Sequence, residues 1–250
     1  MRGKRTNKKN RRQLAEEQLT IGDNLSFGAS EAYKLLRTNI QFALPDEQQC
    51  RIVGVTSSCS GEGKSTTAVN LAYMLAQAGE RVLLVESDMR LPTLARRLNL
   101  QSVPGLSNVL AGLLNTFDAI QKSQLHENLD FISAGDLPPN PSELLGARRM
   151  KTLMEVLSSN YDFIIMDLPP VTEVVDAVVA SRLTDGMVVV VRQSYANRRA
   201  LAEAMQQLKY AEAKVLGFVM TCSQLQTKGK YKAYKKGYGY GYEQTKGTGS

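Results

Sequence analysis

The chain reads Ser58-Cys59-Ser60-Gly61-Glu62-Gly63-Lys64-Ser65 shortly after the apolar run Ile52-Val53-Gly54-Val55 and just before a helical pattern. This is the spacing of a phosphate-binding P-loop, with Ser58 at the position that glycine usually holds. Glycines let the backbone N–H groups turn inward around phosphate oxygens, and the N-terminus of the following helix also attracts anions. The order of strand, loop and helix favours nucleoside triphosphate binding over a chance Gly/Ser turn.

The loop residues have distinct expected tasks. Lys64 is expected to reach the terminal phosphates, and the Ser65 hydroxyl is expected to ligate Mg²⁺. The predicted nucleotide-binding residues are Ser60, Gly61, Glu62, Gly63, Lys64, Ser65 and Thr66.

A P-loop also needs a carboxylate to hold the water shell of the metal. Asp167 follows the apolar residues Phe163-Ile164-Ile165-Met166, so we expect it at the carboxyl end of a buried strand. Doubly wound sheets bind their ligands at that edge. The simpler alternative is an aspartate that only caps a turn.

A second acidic strand end follows Val82-Leu83-Leu84-Val85. If the two strands are neighbours, Glu86 and Asp88 lie near the γ-phosphate, where a carboxylate could orient Mg²⁺ or accept a proton from an attacking hydroxyl. Asp88 is the preferred base or metal-orienting residue and Glu86 the second choice, although Asp88 could also be a loop cap. The predicted catalytic residues are Lys64, Asp88, Glu86 and Asp167, and the predicted metal ligands are Ser65, Asp88 and Asp167.

Short apolar runs alternate with helical patterns along the whole chain. After residues 52–56 they stand at 82–85, 129–132, 163–166, 187–191 and 215–220. A further helical pattern begins after Ser26 or Ser30, and Gly79 is expected to end the helix after the loop. The alternation predicts an α/β fold, in which a doubly wound, mostly parallel sheet of P-loop NTPase type has helices on both faces.

The net charge of +7 belongs to the two ends of the chain. Residues 1–12 hold seven Lys or Arg and no acid, and residues 228–250 hold six Lys and one Glu, which leaves 18 basic and 23 acidic residues between them. A nucleic-acid-binding face on the folded part is therefore not indicated. Three cysteines without paired spacing and a single histidine predict no disulfide framework, and they disfavour histidine-centred catalysis and metal binding through cysteine or histidine.

Composition divides the chain into three parts. Residues 1–25 are expected to be a basic, flexible N-terminal segment, residues 26–227 the α/β domain, and residues 228–250 a disordered tail rich in Tyr, Gly and Lys. The apolar runs are too short to span a membrane, and no signal peptide is expected.

Several stretches of the chain are shared with one known family. They are Gly61–Thr66, the Glu86/Asp88 strand end, Asp167-Leu168-Pro169-Pro170, Pro139–Leu145, Glu31–Asn39 and the tail tyrosines Tyr231, Tyr234, Tyr238, Tyr240 and Tyr242. Together they resemble the bacterial tyrosine kinases (BY-kinases) of capsular and exopolysaccharide synthesis. The resemblance runs from about residue 27 to the end of the chain.

Four features of the chain depart from the pattern of that family. Glu86 stands where an aspartate is usual. The stretch Glu31–Asn39 resembles the N-terminal self-association motif of the family, and Lys34 replaces the middle arginine of that motif. Cys59-Ser60 stands where a proline is common, and Thr221 stands where an asparagine often contacts the nucleobase. The Glu86 side chain is longer than that of aspartate, and Lys34 affects the strength of self-association. Cys59-Ser60 affects the rigidity of the loop, and Thr221 affects recognition of the nucleobase.

The resemblance implies an ATP- and Mg²⁺-dependent protein tyrosine kinase that phosphorylates the five tail tyrosines in trans. It implies a homo-oligomer of unphosphorylated chains, formed through Glu31, Lys34 and Arg37. The implied partners are a membrane-anchored activator of the polysaccharide co-polymerase type and a cognate tyrosine phosphatase, with no specific nucleic acid. The chain would be cytoplasmic and recruited to the inner face of the membrane by its partner.

Two other classes of function stay open on the sequence alone. The first is a partitioning or membrane-switch ATPase; such proteins carry an extra lysine near the start of the loop, where this chain has Cys59. The second is a non-catalytic scaffold whose tail binds partners.

Overall fold

The computed structural model of the chain describes residues 20–44 and 49–222. Most of the N-terminal segment therefore lies outside the described residues. So does the whole predicted tail with its phosphoacceptors Tyr231, Tyr234, Tyr238, Tyr240 and Tyr242.

A seven-stranded sheet forms the centre of the described part, with the strand order β3-β4-β2-β5-β1-β6-β7. The strands are β1 Arg51–Ser57, β2 Val82–Glu86, β3 Ile120–Lys122, β4 Leu129–Ile132, β5 Phe163–Asp167, β6 Gly186–Arg192 and β7 Val215–Thr221. Every pairing is parallel except that of β3 with β4. The predicted doubly wound, mostly parallel sheet is confirmed; the short antiparallel edge strand β3 was not predicted.

The α-helices of the described part cover both faces of this sheet. They are α1 Phe27–Ala43, α2 Lys64–Gln77, α3 Leu94–Arg97, α4 Leu106–Ala111, α5 Pro141–Gly146, α6 Arg148–Ser158, α7 Asp176–Ala180 and α8 Arg198–Tyr210. Helices α1 to α3 pack in one apolar cluster and α4 to α8 in the other. Among the described residues, no helix has both the length and the apolar character that crossing a bilayer requires.

The buried strands supply both clusters because successive side chains point to opposite faces. In β2, Val82 and Leu84 pack against α1 to α3, whereas Leu83 and Val85 pack on the other side. All four are fully buried. This explains why residues 82–85 of β2 are all apolar instead of alternating with polar residues.

The predicted helix boundaries agree with the local geometry. Ser26, one of the two predicted starts, caps α1 by accepting a hydrogen bond from the Ala29 N–H at 3.4 Å. Gly79 follows the end of α2 with φ +97°, in the left-handed region that glycine adopts at low cost, and its N–H bonds to the Ala76 carbonyl.

The last residues of the predicted flexible N-terminal segment pack on the folded body. The buried amide of Asn70, in α2, accepts a hydrogen bond from the Gly22 N–H at 3.0 Å and donates one to the Thr20 carbonyl at 2.9 Å. Ile21 between them is 4% exposed. Residues 20–25 therefore pack with the α/β domain, because the Asn70 side chain forms hydrogen bonds with backbone groups of Thr20 and Gly22.

Candidate active site

The P-loop joins the end of β1 to the start of α2. Gly61 and Gly63 have φ values of +80° and +95°, which a residue with a Cβ adopts only with strain. Helix α2 begins at Lys64, so the N–H groups of its first turn, which have no acceptor within the helix, open toward the loop. The loop has the glycine conformations and the following helix that the sequence predicted, and its role in binding phosphate stays a prediction.

Lys64 connects the ends of three neighbouring strands. Its Nζ donates to Asp88 Oδ2 at 2.9 Å and lies 3.7 Å from Asp167 Oδ1. The same ammonium lies 3.3 Å from Ser65 Oγ. Burial by itself would lower the pKa of Lys64, but the Asp167 and Asp88 carboxylates outweigh it, so the pKa is raised and the residue stays cationic.

The parallel register brings the acidic strand ends together. Glu86 and Asp167 are direct neighbours in the pairing of β2 with β5, and Asp167 also lies opposite Val55 of β1. This juxtaposition is the one that the sequence predicted from two separate apolar runs. Asp88, two residues beyond β2, is 5% exposed.

The surroundings of the Asp167 carboxylate are suited to binding a cation. It is 1% exposed, and its Oδ1 is buried with no hydrogen-bond donor among the described residues. Burial raises its pKa, while Lys64 and the Ser65 hydroxyl act in the opposite direction. A bound cation would stabilise this oxygen, so the residues present fit a metal ion at Ser65 and Asp167.

The arrangement differs from a metal cage made only of protein ligands. Within residues 20–44 and 49–222, no group of three or more His, Cys, Asp or Glu side chains is placed to hold an ion. Mg²⁺ in nucleotide sites is commonly held by one or two protein oxygens, with phosphate oxygens and water completing its shell. The donor set here is of that kind.

Glu86 makes contacts that its position in the sequence did not reveal. Its Oε1 accepts hydrogen bonds from the N–H groups of Thr93 and Leu94 at 2.6 and 2.5 Å, and Oε2 accepts from the Ala134 N–H at 3.4 Å. Burial raises its pKa, and these backbone donors partly offset the rise. Glu86 thus caps α3; its predicted role as a second-choice base stays a prediction, with both oxygens engaged elsewhere.

Glu62 stabilises the loop from within. Its carboxylate is fully buried, and Oε2 accepts from the Ser58 hydroxyl and the Cys59 N–H, both at 2.8 Å. The Glu62 side chain therefore closes the first turn of the loop and leaves only its backbone for the predicted phosphate contact.

Two further residues at the site, Arg97 and Glu173, carry no motif that sequence reasoning could use. Arg97 donates to Thr66 Oγ1 at 2.8 Å, which places a nearly buried cation beside the first turn of α2. The Ser60 N–H donates to Glu173 Oε1 at 2.6 Å. Glu173 comes from the segment after β5, so it brings an acid to the rim of the loop.

Arg90, two residues beyond Asp88, forms its ion pair with an acid outside the P-loop site. Its Nε and Nη2 donate to the two oxygens of the fully buried Asp176, at 2.9 and 3.0 Å. This bidentate pair joins the segment after β2 to the start of α7.

The predicted self-association residues lie on α1, away from the loop. Lys34 and Glu31 form an ion pair at 2.9 Å, and both are about half exposed. Arg37 instead donates to the Met74 carbonyl of α2 at 3.1 Å. Leu35 and Phe42, two helical turns apart on α1, are 62% and 86% exposed.

Comparison with known proteins places this geometry in a family. Residues 50–216 match the family described as AAA domain. The chain is 39% identical over 205 residues to the tyrosine-protein kinase YwqD of Bacillus subtilis, covering 82% of this chain and 86% of that one. It is 34% identical over 216 residues to the putative tyrosine-protein kinase CapB of Staphylococcus aureus, covering 86% and 94%.

Solved structures give the same grouping. The kinase domain of the Escherichia coli tyrosine kinase ETK superposes with a TM-score of 0.76 at 30% identity, covering 90% of this chain and 84% of that one. The septum site-determining protein MinD of Pyrococcus horikoshii, complexed with Mg-ADP, gives a TM-score of 0.58 at 28% identity and covers 68% and 70%. The division-type ATPase is thus the more distant of these two.

Proposed function

The chain belongs to the AAA-domain family and, within it, to the bacterial tyrosine-protein kinases, and we propose that it transfers the γ-phosphoryl group of ATP to protein tyrosines. The observation that carries the proposal is the contact of Lys64 with both Asp88 and Asp167 at the end of the P-loop. Its relatives YwqD and ETK are named as tyrosine kinases.

The chemistry follows from these positions. ATP is the substrate: the bond between its γ-phosphorus and the bridging oxygen breaks as a new bond forms to the tyrosine oxygen. Lys64 and the loop N–H groups neutralise the developing phosphate charge, and Asp88 orients the phenol and accepts its proton. Ser65 and Asp167 would hold a Mg²⁺ ion together with the phosphates, and the ion would supply further charge neutralisation when bound.

The acceptors proposed are the five tail tyrosines, Tyr231, Tyr234, Tyr238, Tyr240 and Tyr242. A Gly-spaced tail of this length can place a phenol in a neighbouring active site at little folding cost. The exposed Leu35 and Phe42 beside the Glu31–Lys34 pair support self-association through α1, because both apolar side chains lie on one helical face. We therefore propose that unphosphorylated chains assemble and modify one another's tails.

The biological setting proposed is the control of capsular or exopolysaccharide synthesis and export. The proposed partners are a membrane-anchored activator of the polysaccharide co-polymerase type, which would recruit the chain to the inner face of the membrane, and a cognate tyrosine phosphatase. Support comes from the shared sequence stretches and from the basic ends of the chain, which suit an anionic lipid surface.

The direct test is incubation of the purified chain with ATP and Mg²⁺, with and without a candidate activator fragment, followed by phosphotyrosine mapping by mass spectrometry. Phosphate on the tail tyrosines is the expected result. ATP hydrolysis without any phosphotyrosine, unchanged after deletion of residues 228–250, would favour a switch ATPase. Failure of ATP turnover in every condition would favour the scaffold.

A further inference from the structure

Three consecutive carbonyl groups of the P-loop are held from outside by side chains at the ends of β6 and β7. The Ser60 carbonyl accepts from the Tyr195 hydroxyl at 3.2 Å, and the Gly61 carbonyl accepts from Arg192 Nη1 at 3.2 Å. The Glu62 carbonyl accepts from Thr221 Oγ1 at 2.7 Å. We call these three side-chain hydrogen bonds the tethers of the loop; no sequence motif predicted them.

Because the peptide bond is planar, these hydrogen bonds to the carbonyls also fix the direction of the neighbouring N–H groups, which are the groups that can bind phosphate. In a trans peptide, the C=O of one residue and the N–H of the next point in opposite directions. Carbonyls of residues 60 to 62 that are bound on the outside of the loop therefore turn the N–H groups of Gly61, Glu62 and Gly63 away from β6 and β7. These are the N–H groups assigned to phosphate.

Thr221 is the firmest of the three tethers. Its hydrogen bond is the shortest, and a Cβ placed on Gly63 would lie 3.3 Å from Thr221 Cγ2, so side chain and loop are in contact. Thr221 is paired with Arg192 in the register of β6 with β7, and its carbonyl accepts from the Gln193 N–H at 3.0 Å. The hydroxyl is thus mounted on a strand end with little freedom to move.

Arg192 and Tyr195 support one another as well as the loop. The Arg192 guanidinium lies 5.1 Å from the centre of the Tyr195 ring, in a cation–π arrangement. Tyr195 is 55% exposed, so its single hydroxyl bond can be removed without disturbing the core.

We infer that Thr221, assisted by Arg192 and Tyr195, is a positioning residue that presets the P-loop for the phosphate chain of the nucleotide. The inference rests on the proposed nucleotide binding and adds a role to a position that the family resemblance linked to base recognition. In this chain the Thr221 hydroxyl is committed to the loop, so its effect falls on the phosphates and not on the base.

Two ligands separate these roles: ADP, which has a base, and inorganic tripolyphosphate, which has none. Thr221→Val keeps the shape and removes the donor, and Thr221→Ser restores the hydroxyl. We expect Thr221→Val to lower the affinity for both ligands by a similar factor, about three- to tenfold. Thr221→Ser should recover most of the lost affinity. Isothermal titration calorimetry with Mg²⁺ measures the affinities of wild type and both variants for both ligands.

Thr184→Val is the matched control, because the Thr184 hydroxyl also donates to a backbone carbonyl, that of Ser181 at 2.8 Å, before β6 begins. It should leave both affinities unchanged. Loss of ADP affinity alone would show that Thr221 reads the base and overturn the inference, as would unchanged affinity for both ligands. Wild-type protein that binds neither ligand would refute the proposed function instead.

Thr221→Val could also fail to fold, which circular dichroism would reveal. Tyr195→Phe then serves as the second variant, since it removes one exposed donor and nothing else. A parallel loss of about two- to fivefold for both ligands supports the tethers. The tethers would be refuted if Tyr195→Phe bound both ligands as tightly as wild type while Thr221→Ser, which keeps the hydroxyl, bound them less tightly than wild type.

Discussion

Lys64 Nζ lies 2.9 Å from Asp88 Oδ2, and this contact joins the P-loop to the segment that follows β2. Asp167, at the end of β5, lies 3.7 Å from the same ammonium. A phosphate that Lys64 binds therefore has two carboxylates as neighbours, one suited to hold a metal and one suited to receive a proton.

Asp167→Asn and Asp88→Asn should fail in different ways. Asp167→Asn removes the carboxylate whose Oδ1 accepts no hydrogen bond from the described residues, so Mg²⁺-dependent ADP affinity and phosphotransfer should fall together, by about tenfold or more. Asp88→Asn should lower turnover by about 100-fold with a smaller effect on ADP affinity. Calorimetry and single-turnover kinetics measure both; identical profiles for the two variants would refute the division of roles.

The raised pKa of Asp167 predicts a pH dependence of nucleotide binding. A metal ligand must be deprotonated, and burial makes the proton leave Asp167 at a higher pH than from an ordinary aspartate, whose pKa is 3.8. The Mg²⁺-dependent part of ADP affinity should therefore fall as the pH is lowered, beginning above the range in which ordinary aspartates titrate. Titrations with Mg²⁺ and with EDTA measure it. The difference should vanish in Asp167→Asn; a pH-independent difference in wild type would contradict the assignment.

Glu86→Gln tests the structural role of the Glu86 carboxylate. An amide can accept from the Thr93 and Leu94 N–H groups only through one oxygen, and its NH₂ group faces the Ala134 N–H. We expect the free energy of unfolding to fall by about 1–3 kcal/mol in chemical denaturation. Glu143→Gln, at an exposed acid that accepts a single bond from Asn140, is the control and should change stability by less than about 0.5 kcal/mol. Unchanged stability together with lost turnover would return Glu86 to the role of base.

The tail should act as a charge switch on assembly. Five phosphotyrosines would add about −7 to −10 charges and reverse the tail's balance of six Lys and one Glu. Phosphorylated chains should then dissociate, because the region between the basic ends is acidic. Changing all five tail tyrosines to Phe should preserve ADP binding and keep the assembly intact after ATP addition. Light scattering follows this; equal dissociation of variant and wild type would exclude the switch.

The fold and the centre of the site could be predicted because they depend on local patterns. Buried parallel strands are apolar on both faces, and a P-loop has a fixed spacing, so the strands and the closeness of Lys64 to Asp167 could be predicted, while the roles of the two residues stay predictions. The expectation that two acidic strand ends would meet was also correct, since β2 and β5 are neighbours.

What could not be predicted depends on contacts between distant segments. Edge strand β3 has only three residues and no apolar run, and so it lacks a strand signal. Glu86 meets Ala134, 48 positions away, and Thr221 meets Glu62, 159 positions away. Spacing rules hold no information on such pairs, so the capping role of Glu86 and the tether at Thr221 emerge only from the folded chain.

The central claim is that one copy of the chain phosphorylates the tail tyrosines of another. A mixing experiment separates enzyme from substrate: Lys64→Met supplies an inactive chain with an intact tail, and the variant with five tail Phe supplies an active chain without acceptors. Lys64→Met alone should lose at least about 100-fold of its phosphotransfer, because the lysine stabilises charge in the transition state. With ATP and Mg²⁺, mass spectrometry of the mixture should show phosphotyrosine on the Lys64→Met tail. A mixture without phosphotyrosine, while wild type alone acquires it, would contradict transfer between chains, and phosphotyrosine on Lys64→Met incubated alone would contradict the P-loop mechanism.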